Sequence, residues 1–170
     1  MTQYQWVIAN LVKNLDSRKA FININQVHHK DMESKDFPCT LGMQFFVRNN
    51  HLCSAVSSRS TDIYTGLPYD MGFFSFVTEL VYRDVKSKVS AEKAAALKLG
   101  YVTMKTNFTQ IYDKTRTQAL RLLERENETS SYSTDMPEIH DAEETLEDIY
   151  KKTTHSSVKK WITKHAELSN

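Results

Sequence analysis

The segment SSRSTDIYTGLPYD, residues 57–70, is the stretch that decides how this sequence folds. It combines an arginine, two carboxylates and several hydroxyl groups with a Gly-Leu-Pro sequence, and it ends on Asp70. Ile63 and Leu67 make it too apolar for a solvated linker, whereas its polar residues are too many for an ordinary core strand. The Gly66-Leu67-Pro68 sequence predicts a turn that redirects the chain, and the polar residues before it call for a role other than that of an ordinary core strand.

The composition indicates one compact domain with a short appendage. The chain has 170 residues, 40% of them hydrophobic, and 22 basic residues balance 21 acidic ones, which gives no support for a dedicated DNA-binding surface. No apolar run approaches the ~20 residues of a membrane span, and the first residues lack a signal-peptide pattern. Cys39 and Cys53 lack Cys-x-x-Cys spacing, and the histidines lack metal-ligand spacing. We therefore expect no disulfide framework, no metal site and a cytoplasmic location.

The periodicity of apolar residues predicts an α/β fold, in which helices pack on a mixed, twisted sheet. Asn49 and Asn50 suit the tight turn of a hairpin, and Ser90 is expected to cap a short helix that ends before Gly100. Residues 109–124 are predicted as a helix with Ile111, Leu120 and Leu123 toward the core. The remaining predicted elements are helices at 3–15 and 71–85 and strands near 20–26, 43–48, 52–58 and 101–106.

Composition also divides the chain into three predicted parts: a domain at 1–125, a linker at 126–137 and a charged helical tail at 138–170. From Glu124 to Asp148 there are ten acidic residues and one basic residue, and residues 149–166 then contain five lysines and no acid. The tail is expected to form one or two exposed helices, whose acidic and lysine-rich parts could pair. A solvated appendage and a partner-docking element both fit this pattern.

Cys39 is the first candidate for a reactive side chain, because it follows a proline where a polar loop meets a strand. A reactive thiolate needs nearby cationic groups, which Arg59, Arg18 and Lys19 could supply. Together with Ser60, these cations also have the chemistry of a phosphate monoester site. The alternatives are a small buried cysteine and ordinary surface charges.

The order of five motifs resembles that of the thymidylate synthase family. The motifs are Asp16-Ser17-Arg18-Lys19, Pro38-Cys39, Gln44-Phe45-Phe46-Val47, Arg59-Ser60-x-Asp62 and Gly66-Leu67-Pro68-Tyr69. The similarity runs from about residue 5 to about residue 120 and is greatest to the pyrimidine-nucleotide (dCMP) hydroxymethylases of bacteriophages. It implies a thymidylate synthase-like sheet, a homodimer, a cytoplasmic location in a phage-infected cell, and a folate-dependent transferase that acts on a pyrimidine nucleoside monophosphate with 5,10-methylenetetrahydrofolate.

The resemblance also implies roles for individual residues. Cys39 would be the nucleophile that adds to C6 of the pyrimidine, which makes C5 able to attack a one-carbon unit. Arg59 and Ser60 would hold the nucleotide phosphate. Arg18 and Lys19 would reach across the dimer interface to the phosphate bound by the neighbouring subunit.

Three further positions are carried over in the same way. Asp62 would position the base through backbone and water contacts, and Tyr112 would hydrogen-bond the sugar hydroxyl. Gln110 stands where the family usually has a histidine, so this position keeps a hydrogen-bonding group that does not titrate.

Asp70 stands where uracil-specific members of the family have an asparagine. An amide both donates and accepts, which matches N3–H and O4 of uracil, whereas a carboxylate only accepts unless it is protonated. Cytosine offers a 4-amino donor, and its N3 can share a proton with the acid. Asp70 therefore favours cytosine; the alternative is an exposed N-cap of the helix predicted at 71. Thr40, in place of the histidine common in the synthases, also favours the hydroxymethylase branch.

Two hypotheses follow from the resemblance. The segment that supplies the general-base glutamate and the aromatic lining of the folate site has no counterpart before Gln5, and the charged tail replaces the closing segment of the synthases. The first hypothesis is a shortened dCMP hydroxymethylase-like enzyme, which a second polypeptide could complete. The second is a nucleotide-binding protein that lacks the folate site and uses its tail to bind a partner.

Overall fold

Four strands form a single mixed sheet in the order β1-β2-β3-β4. The structure is a computed structural model that describes residues 1–30, 33–34, 37–124 and 136–167. Neighbouring strands run antiparallel except for β3 and β4, which are parallel. This mixed sheet confirms the predicted α/β class. The strands are β1 (Phe21–Asn23), β2 (Thr40–Arg48), β3 (His51–Asp62) and β4 (Lys98–Gln110).

The β2–β3 hairpin turns at Asn49 and Asn50, which have φ angles of 50° and 61°. Asparagine tolerates the left-handed backbone that a two-residue turn requires, and Arg48 pairs with His51 directly beside the turn. The hairpin predicted from these residues is thus confirmed, and both strands are longer than predicted.

The described helices other than α4 (Asp113–Glu124) pack on one face of the sheet or on each other. The first two lie against the sheet, where Val7, Leu11, Val81 and Val85 are fully buried with Phe45. These two helices and the facing side of the sheet together form the main core. The helices are α1 (Gln3–Lys13), α2 (Gly66–Lys88), α3 (Ala91–Ala96), α4 (Asp113–Glu124), α5 (Ala142–Lys151) and α6 (Ser157–Glu167). None of these described helices is both long and apolar enough to cross a membrane.

The opposite face of the sheet carries the alternate side chains of the strands, which point away from α1 and α2. The rings of Phe46 and Tyr101 meet edge to face on this surface, with their centroids 6.4 Å apart. Tyr101 is 57% exposed, and the Arg48 guanidinium lies 5.9 Å from the centre of the Phe46 ring. We call this surface, with Gln44, Phe46, Arg48, Tyr101 and Lys105, the open sheet face.

The boundaries predicted for α2 and α4 are wrong. Helix α2 begins at Gly66, five residues before the predicted position 71, so Gly66-Leu67-Pro68 is the first helical turn. Proline is tolerated there because its missing N–H has no acceptor within the helix. Helix α4 begins at Asp113, since β4 continues its parallel pairing with β3 as far as Gln110.

The apolar face predicted for α4 is also not in the core. Ile111, Leu120 and Leu123 are 47%, 51% and 65% exposed. The amphipathic pattern predicted the helix correctly, but within the described residues no other element covers its apolar side. An amphipathic helix requires a covering surface, and periodicity alone does not say where that surface lies.

The tail contains two helices, and it packs on α2 through a small apolar cluster. Ile139 and Val158 are 0% and 1% exposed beside Leu80 of α2. The backbone N–H of Ile139 donates to Glu79 at 2.9 Å, and Arg83 pairs with Glu138 at 2.7 Å. The tail is therefore attached to the main body, although most of its polar side chains are exposed as predicted. The linker predicted at 126–137 lies largely outside the described residues.

Candidate functional site

Cys39 is exposed, and it lies directly before β2. Its backbone carbonyl accepts a hydrogen bond of 2.9 Å from the Arg59 N–H and another of 2.9 Å from the Ser58 hydroxyl. The Ser58 hydroxyl also lies 2.8 Å from the carbonyl oxygen of Ser60. Strand β3 therefore fixes the main chain at Cys39 while the thiol side chain stays accessible.

Arg59 holds the same loop with its side chain. Its Nε donates to the Pro38 carbonyl at 3.1 Å and its Nη2 donates to the Phe37 carbonyl at 2.8 Å. The guanidinium also lies 5.1 Å from the centre of the Phe37 ring. A guanidinium has five N–H donors, so these two bonds leave donors for an anion beside Cys39. The structure thus brings Arg59 and Cys39 together, as the sequence suggested.

Asp62 is a buried carboxylate at the end of β3. It accepts hydrogen bonds from the backbone N–H of Thr65 at 2.6 Å, of Gly66 at 3.4 Å and of Tyr112 at 3.4 Å. Burial alone would raise the pKa of Asp62, but these donors outweigh it and the pKa lies below its usual value. Asp62 therefore joins β3, the start of α2 and the segment after β4.

The parallel pairing of β3 and β4 gathers the other predicted residues at the same edge of the sheet. Ser60 pairs with Phe108 and Asp62 pairs with Gln110, and the Ile63 N–H donates to the Gln110 carbonyl at 2.9 Å. Ser60 is half-buried, whereas the Gln110 and Tyr112 side chains are exposed. These residues thus lie at the end of the sheet where β2 begins, next to Cys39; they are Ser60, Asp62, Gln110 and Tyr112.

Asp70 lies in the second turn of α2, so its predicted alternative as the N-cap of a helix at 71 is wrong. Its side chain is partly buried, and this burial raises the pKa of the carboxyl above its usual value. The Thr61 hydroxyl acts in the opposite direction, and it has no hydrogen-bond partner of standard geometry within the described residues. Thr61 Oγ1 lies next to Gly66, one helical turn before Asp70 on α2.

Arg18 and Lys19 are not part of this edge. Both side chains are exposed; the Arg18 carbonyl accepts a bond of 3.5 Å from Gln44, and the Lys19 carbonyl accepts one of 3.0 Å from Trp6. Arg18 lines an open hollow of about 240 Å³ with Gln44, Phe46 and Arg48. Cys39 lies at the other end of β2, roughly 20 Å away at the usual rise per strand residue. Within one chain, these two cations do not reach Arg59.

An apolar hollow of about 500 Å³ opens beside Asp62 and Tyr112. Ile63 and Tyr64, which follow β3, form one wall, and the exposed apolar side chains of α4 form the other. Asp113 and Arg116 are polar groups at its border. The apolar face of α4, which the sequence analysis assigned to the core, thus lines a hollow next to the candidate site. The apolar members of the α4 wall are Ala119, Leu120, Leu122 and Leu123.

Sequence reasoning missed three contributors to this site. Ser58 bonds to the Cys39 carbonyl, the Arg59 guanidinium lies over the Phe37 ring, and Thr61 places a buried hydroxyl next to Gly66. The Phe37–Arg59 contact joins residues far apart in the chain, so no local pattern indicates it. Thr61 was detectable in principle, because a hydroxyl on the core side of a strand is unusual unless it has a partner.

These site residues all fall within a stretch that matches known proteins. A family model described as thymidylate synthase matches residues 1–159. The chain belongs to the thymidylate synthase family. The thymidylate synthase of Coxiella burnetii (strain Dugway 5J108-111) is 30% identical over 86 residues, which cover 51% of this chain and 32% of that protein. The thymidylate synthase of Buchnera aphidicola subsp. Acyrthosiphon pisum (strain Tuc7) is 31% identical over 87 residues, with 51% and 33% covered.

The matched stretch of this thymidylate synthase family member spans about a third of the length of those relatives. The family membership agrees with the mixed sheet and with the helices on one of its faces. It confirms the family-level resemblance from the sequence motifs, whereas the hydroxymethylase branch stays a prediction.

Proposed function

We propose that this chain forms a pyrimidine-nucleotide site for one-carbon transfer to C5, with specificity for dCMP and a hydroxymethyl product. The observation that carries the proposal is the arrangement of Cys39 and Arg59. An accessible thiol stands on a main chain that β3 holds in place, and the Arg59 guanidinium bonds to the carbonyls of Phe37 and Pro38, the two residues before it. This combination suits a nucleophile that must meet a bound phosphate ester.

Cys39 forms a bond to C6 of the pyrimidine, and the electron pair of the C5–C6 double bond moves to make C5 nucleophilic. With the folate bound, the one-carbon unit would part from the cofactor and water would supply the hydroxyl oxygen of the product. C5 gives up its proton, and the Cys39–C6 bond breaks as the C5–C6 double bond is restored. Cys39 thus leaves the reaction unchanged.

Arg59 and Ser60 bind the nucleotide phosphate, and Tyr112 and Gln110 bind the sugar. The Arg59 donors that do not contact Pro38 or Phe37 are available to phosphate oxygens, and charge-assisted bonds of this kind are strong. The exposed side chains of Tyr112 and Gln110 lie near Asp62, which supports a ligand that runs along the end of β3.

Asp70 recognises the base. Its raised pKa supports this role, because cytosine N3 requires a proton that it can share with the carboxyl group. Cytosine N3 is more basic than uracil O4, so the shared proton favours cytosine. A site that relies on hydrogen bonds rejects a mismatched partner strongly, since buried polar groups would be left unpaired.

The homodimer proposal rests on the open sheet face. Phe46 and Tyr101 expose aromatic surface there, which a second copy of the chain would bury. Arg18 lies at the border of this face, roughly 20 Å from Cys39, so it can serve only a neighbouring subunit. A dimer through the open sheet face gives Arg18 and Lys19 their role as ligands of the partner's phosphate.

The cofactor proposal is 5,10-methylenetetrahydrofolate, which supplies the one-carbon unit when bound. The residues next to Asp70 fit an aromatic ring system, because Tyr69 and Phe73 lie one helical turn apart on α2 and are 78% and 59% exposed. Exposed aromatic side chains beside a polar site offer a stacking surface. A second polypeptide that adds further folate contacts is part of the same proposal.

Exchange of the C5 proton on labelled dCMP and dUMP tests this function with and without the folate. We expect exchange with dCMP in the wild type and none in Cys39→Ala. Cys53→Ala is the matched control, because Cys53 is buried in the sheet away from the site. Exchange that survives in Cys39→Ala contradicts the nucleophile, and preference for dUMP contradicts the role of Asp70. Nucleotide binding without any exchange contradicts the enzymatic proposal.

A further inference from the structure

The Thr61 side chain is buried in β3, with 5% of its surface exposed. Its Oγ1 atom is buried and has no hydrogen-bond partner of standard geometry in the described part of the chain. An unsatisfied buried hydroxyl is costly, so most such groups in native proteins have a partner. We therefore asked which nearby polar group the Thr61 hydroxyl could bond to.

Gly66 leaves the space in front of Thr61 open. A Cβ atom at Gly66 would lie only 3.1 Å from Thr61 Oγ1, which is tighter than most contacts of this kind. Asp70 follows Gly66 by four residues in α2, so its side chain leans back over the turn that contains Gly66. The missing side chain at position 66 thus keeps a path open between the Thr61 hydroxyl and the Asp70 carboxyl.

Two influences act on the Asp70 carboxyl: burial raises its pKa and the Thr61 hydroxyl lowers it. Within the described residues, no charged group on α2, β3 or β4 contributes to this shift. Asp62, the other carboxylate of this segment, is bound to the N–H groups of Thr65, Gly66 and Tyr112. Thr61 is therefore the polar group that can set the orientation of Asp70.

We propose that Thr61 is a positioning residue that donates its hydroxyl hydrogen to one oxygen of the Asp70 carboxyl and leaves the other oxygen for the pyrimidine ring. The identity of that ring rests on the proposed function. The contact has two consequences. It fixes the rotation of the carboxyl group, and it favours the ionised form that accepts the bond, so Thr61 limits the pH range in which Asp70 holds a proton.

The pair is tested without nucleotide by following the Asp70 carboxyl carbon in NMR pH titrations. Wild type is compared with Thr61→Val, which keeps the side-chain shape, and with Thr61→Ser, which restores the hydroxyl. We expect the pKa of Asp70 to be higher in Thr61→Val than in wild type and to return toward the wild-type value in Thr61→Ser. An unchanged Asp70 titration in Thr61→Val overturns the proposal, and the Ser variant controls for simple destabilisation.

Titrations with dCMP and dUMP over the same pH range provide the second readout. In Thr61→Val we expect the affinity for dCMP below the Asp70 transition to fall about 5-fold, and the pH at which this affinity is lost to rise. An unchanged pH profile for dCMP in a variant with a shifted Asp70 pKa overturns the positioning role. If wild type binds neither nucleotide, the proposed function fails, while the NMR comparison still decides whether Thr61 contacts Asp70.

Discussion

Tyr4 and Asp84 join the first helix to the long second helix, because the Tyr4 hydroxyl donates a hydrogen bond of 3.0 Å to the Asp84 carboxylate. Asp84 is 2% exposed and also pairs with Lys88 on its own helix. Burial raises the pKa of Tyr4 strongly, and the negative charge of Asp84 adds to the effect. The phenol is thus held neutral by both its surroundings and its partner.

Tyr4→Phe should lower the free energy of unfolding by about 1–2 kcal/mol at neutral pH, because Asp84 loses a buried donor. The pKa of Tyr4 is raised in the folded state, so its contribution is complete below the unfolded value of 10.0 and is lost as the pH rises above it. Urea unfolding of wild type and Tyr4→Phe near pH 8 and pH 10.5 measures both effects. A difference between them that does not shrink at the higher pH would contradict the assignment.

Asp148 should hold the two tail helices, α5 and α6, together. This carboxylate is 1% exposed and accepts bonds from the N–H groups of His155 and Ser156 and from the hydroxyls of Thr153 and Ser156. Burial acts to raise its pKa, but these donors, with Ser156 foremost, hold it well below the usual value.

We expect Asp148→Asn to increase hydrogen exchange in α5 and α6 by one to two orders of magnitude, because an amide accepts these bonds less well than a carboxylate. The pKa of Asp148 is lowered by folding, so the wild-type tail loses this stabilisation as the pH falls below the unfolded value of 3.8. The variant should lack this pH dependence. Exposed Glu147→Gln is the control, and equal protection in both variants would refute the role of Asp148.

Gly100 and Gly72 form a matched pair of glycine-to-alanine tests. A Cβ at Gly100 would overlap the Cys53 sulfur and lie 2.9 Å from the Leu52 carbonyl oxygen, whereas a Cβ at Gly72 would meet nothing within 4 Å. Gly100→Ala should therefore destabilise the protein by about 1–3 kcal/mol. Gly72→Ala should stabilise it by about 0.5–1 kcal/mol, because alanine favours the helix. Thermal melts of the two variants would show opposite shifts, and shifts of the same sign would be inconsistent with this packing.

Arg59→Lys should weaken the binding of dCMP and of inorganic phosphate by about 10- to 100-fold. Lysine cannot bond to the carbonyls of Phe37 and Pro38 while it also offers a planar pair of donors to an anion. Arg121→Lys, an exposed exchange on α4, keeps the net charge and serves as the control. Isothermal titration gives both affinities. Equal binding by the two variants would remove Arg59 from the phosphate site.

Phe46→Glu should shift the protein from dimer to monomer in sedimentation velocity, because it places a charge in the centre of the open sheet face. The control is Tyr150→Glu, since Tyr150 is 73% exposed on α5 and lies away from the sheet. A wild type that sediments as a monomer, or a Phe46→Glu variant that stays a dimer, would exclude this interface.

The elements that the sequence predicted well are those whose signals are local. Alternation and the Asn49-Asn50 pair indicate the hairpin, and both residues have the expected left-handed backbone. Apolar spacing indicates α1, and the capping box of Thr2 and Gln5 fixes where this helix begins. Such patterns depend on neighbouring residues alone, so one sequence is sufficient to find them.

The errors occurred where a specific hydrogen bond or strand pairing, and not local propensity, decides the structure. Residues 109 and 110 have helical periodicity, yet they extend β4 because Thr61 and Asp62 pair with them. Gly66-Leu67-Pro68 has the composition of a turn, yet Asp62 accepts bonds from Thr65 and Gly66 and starts the helix there. In both places a specific bonding partner outweighs local propensity: the paired strand in the first case and the Asp62 carboxylate in the second.

The candidate site shows the same division between features with a local sequence signal and features that depend on packing. Cys39, Arg59 and Asp62 were identified from the order of their motifs, and the structure gathers them at one edge of the sheet. A buried hydroxyl at Thr61 was detectable from the strand pattern, but its proposed partner Asp70 was not, because that contact depends on the space left by Gly66. A sequence shows which groups are present, whereas unoccupied space is a property of the packed chain.

The parallel pairing of β3 with β4 has a kinetic consequence. Asp62 and Gln110 are partners in register, although the whole crossover through α2 and α3 separates them in the chain. Pairings of such long sequence separation form slowly, since loop closure must precede the contacts that stabilise it. Local helices and the hairpin can form early, but the edge that carries Asp62 and Tyr112 exists only after β4 has docked. On the ribosome, the proposed nucleotide site would therefore be among the last parts of the chain to form.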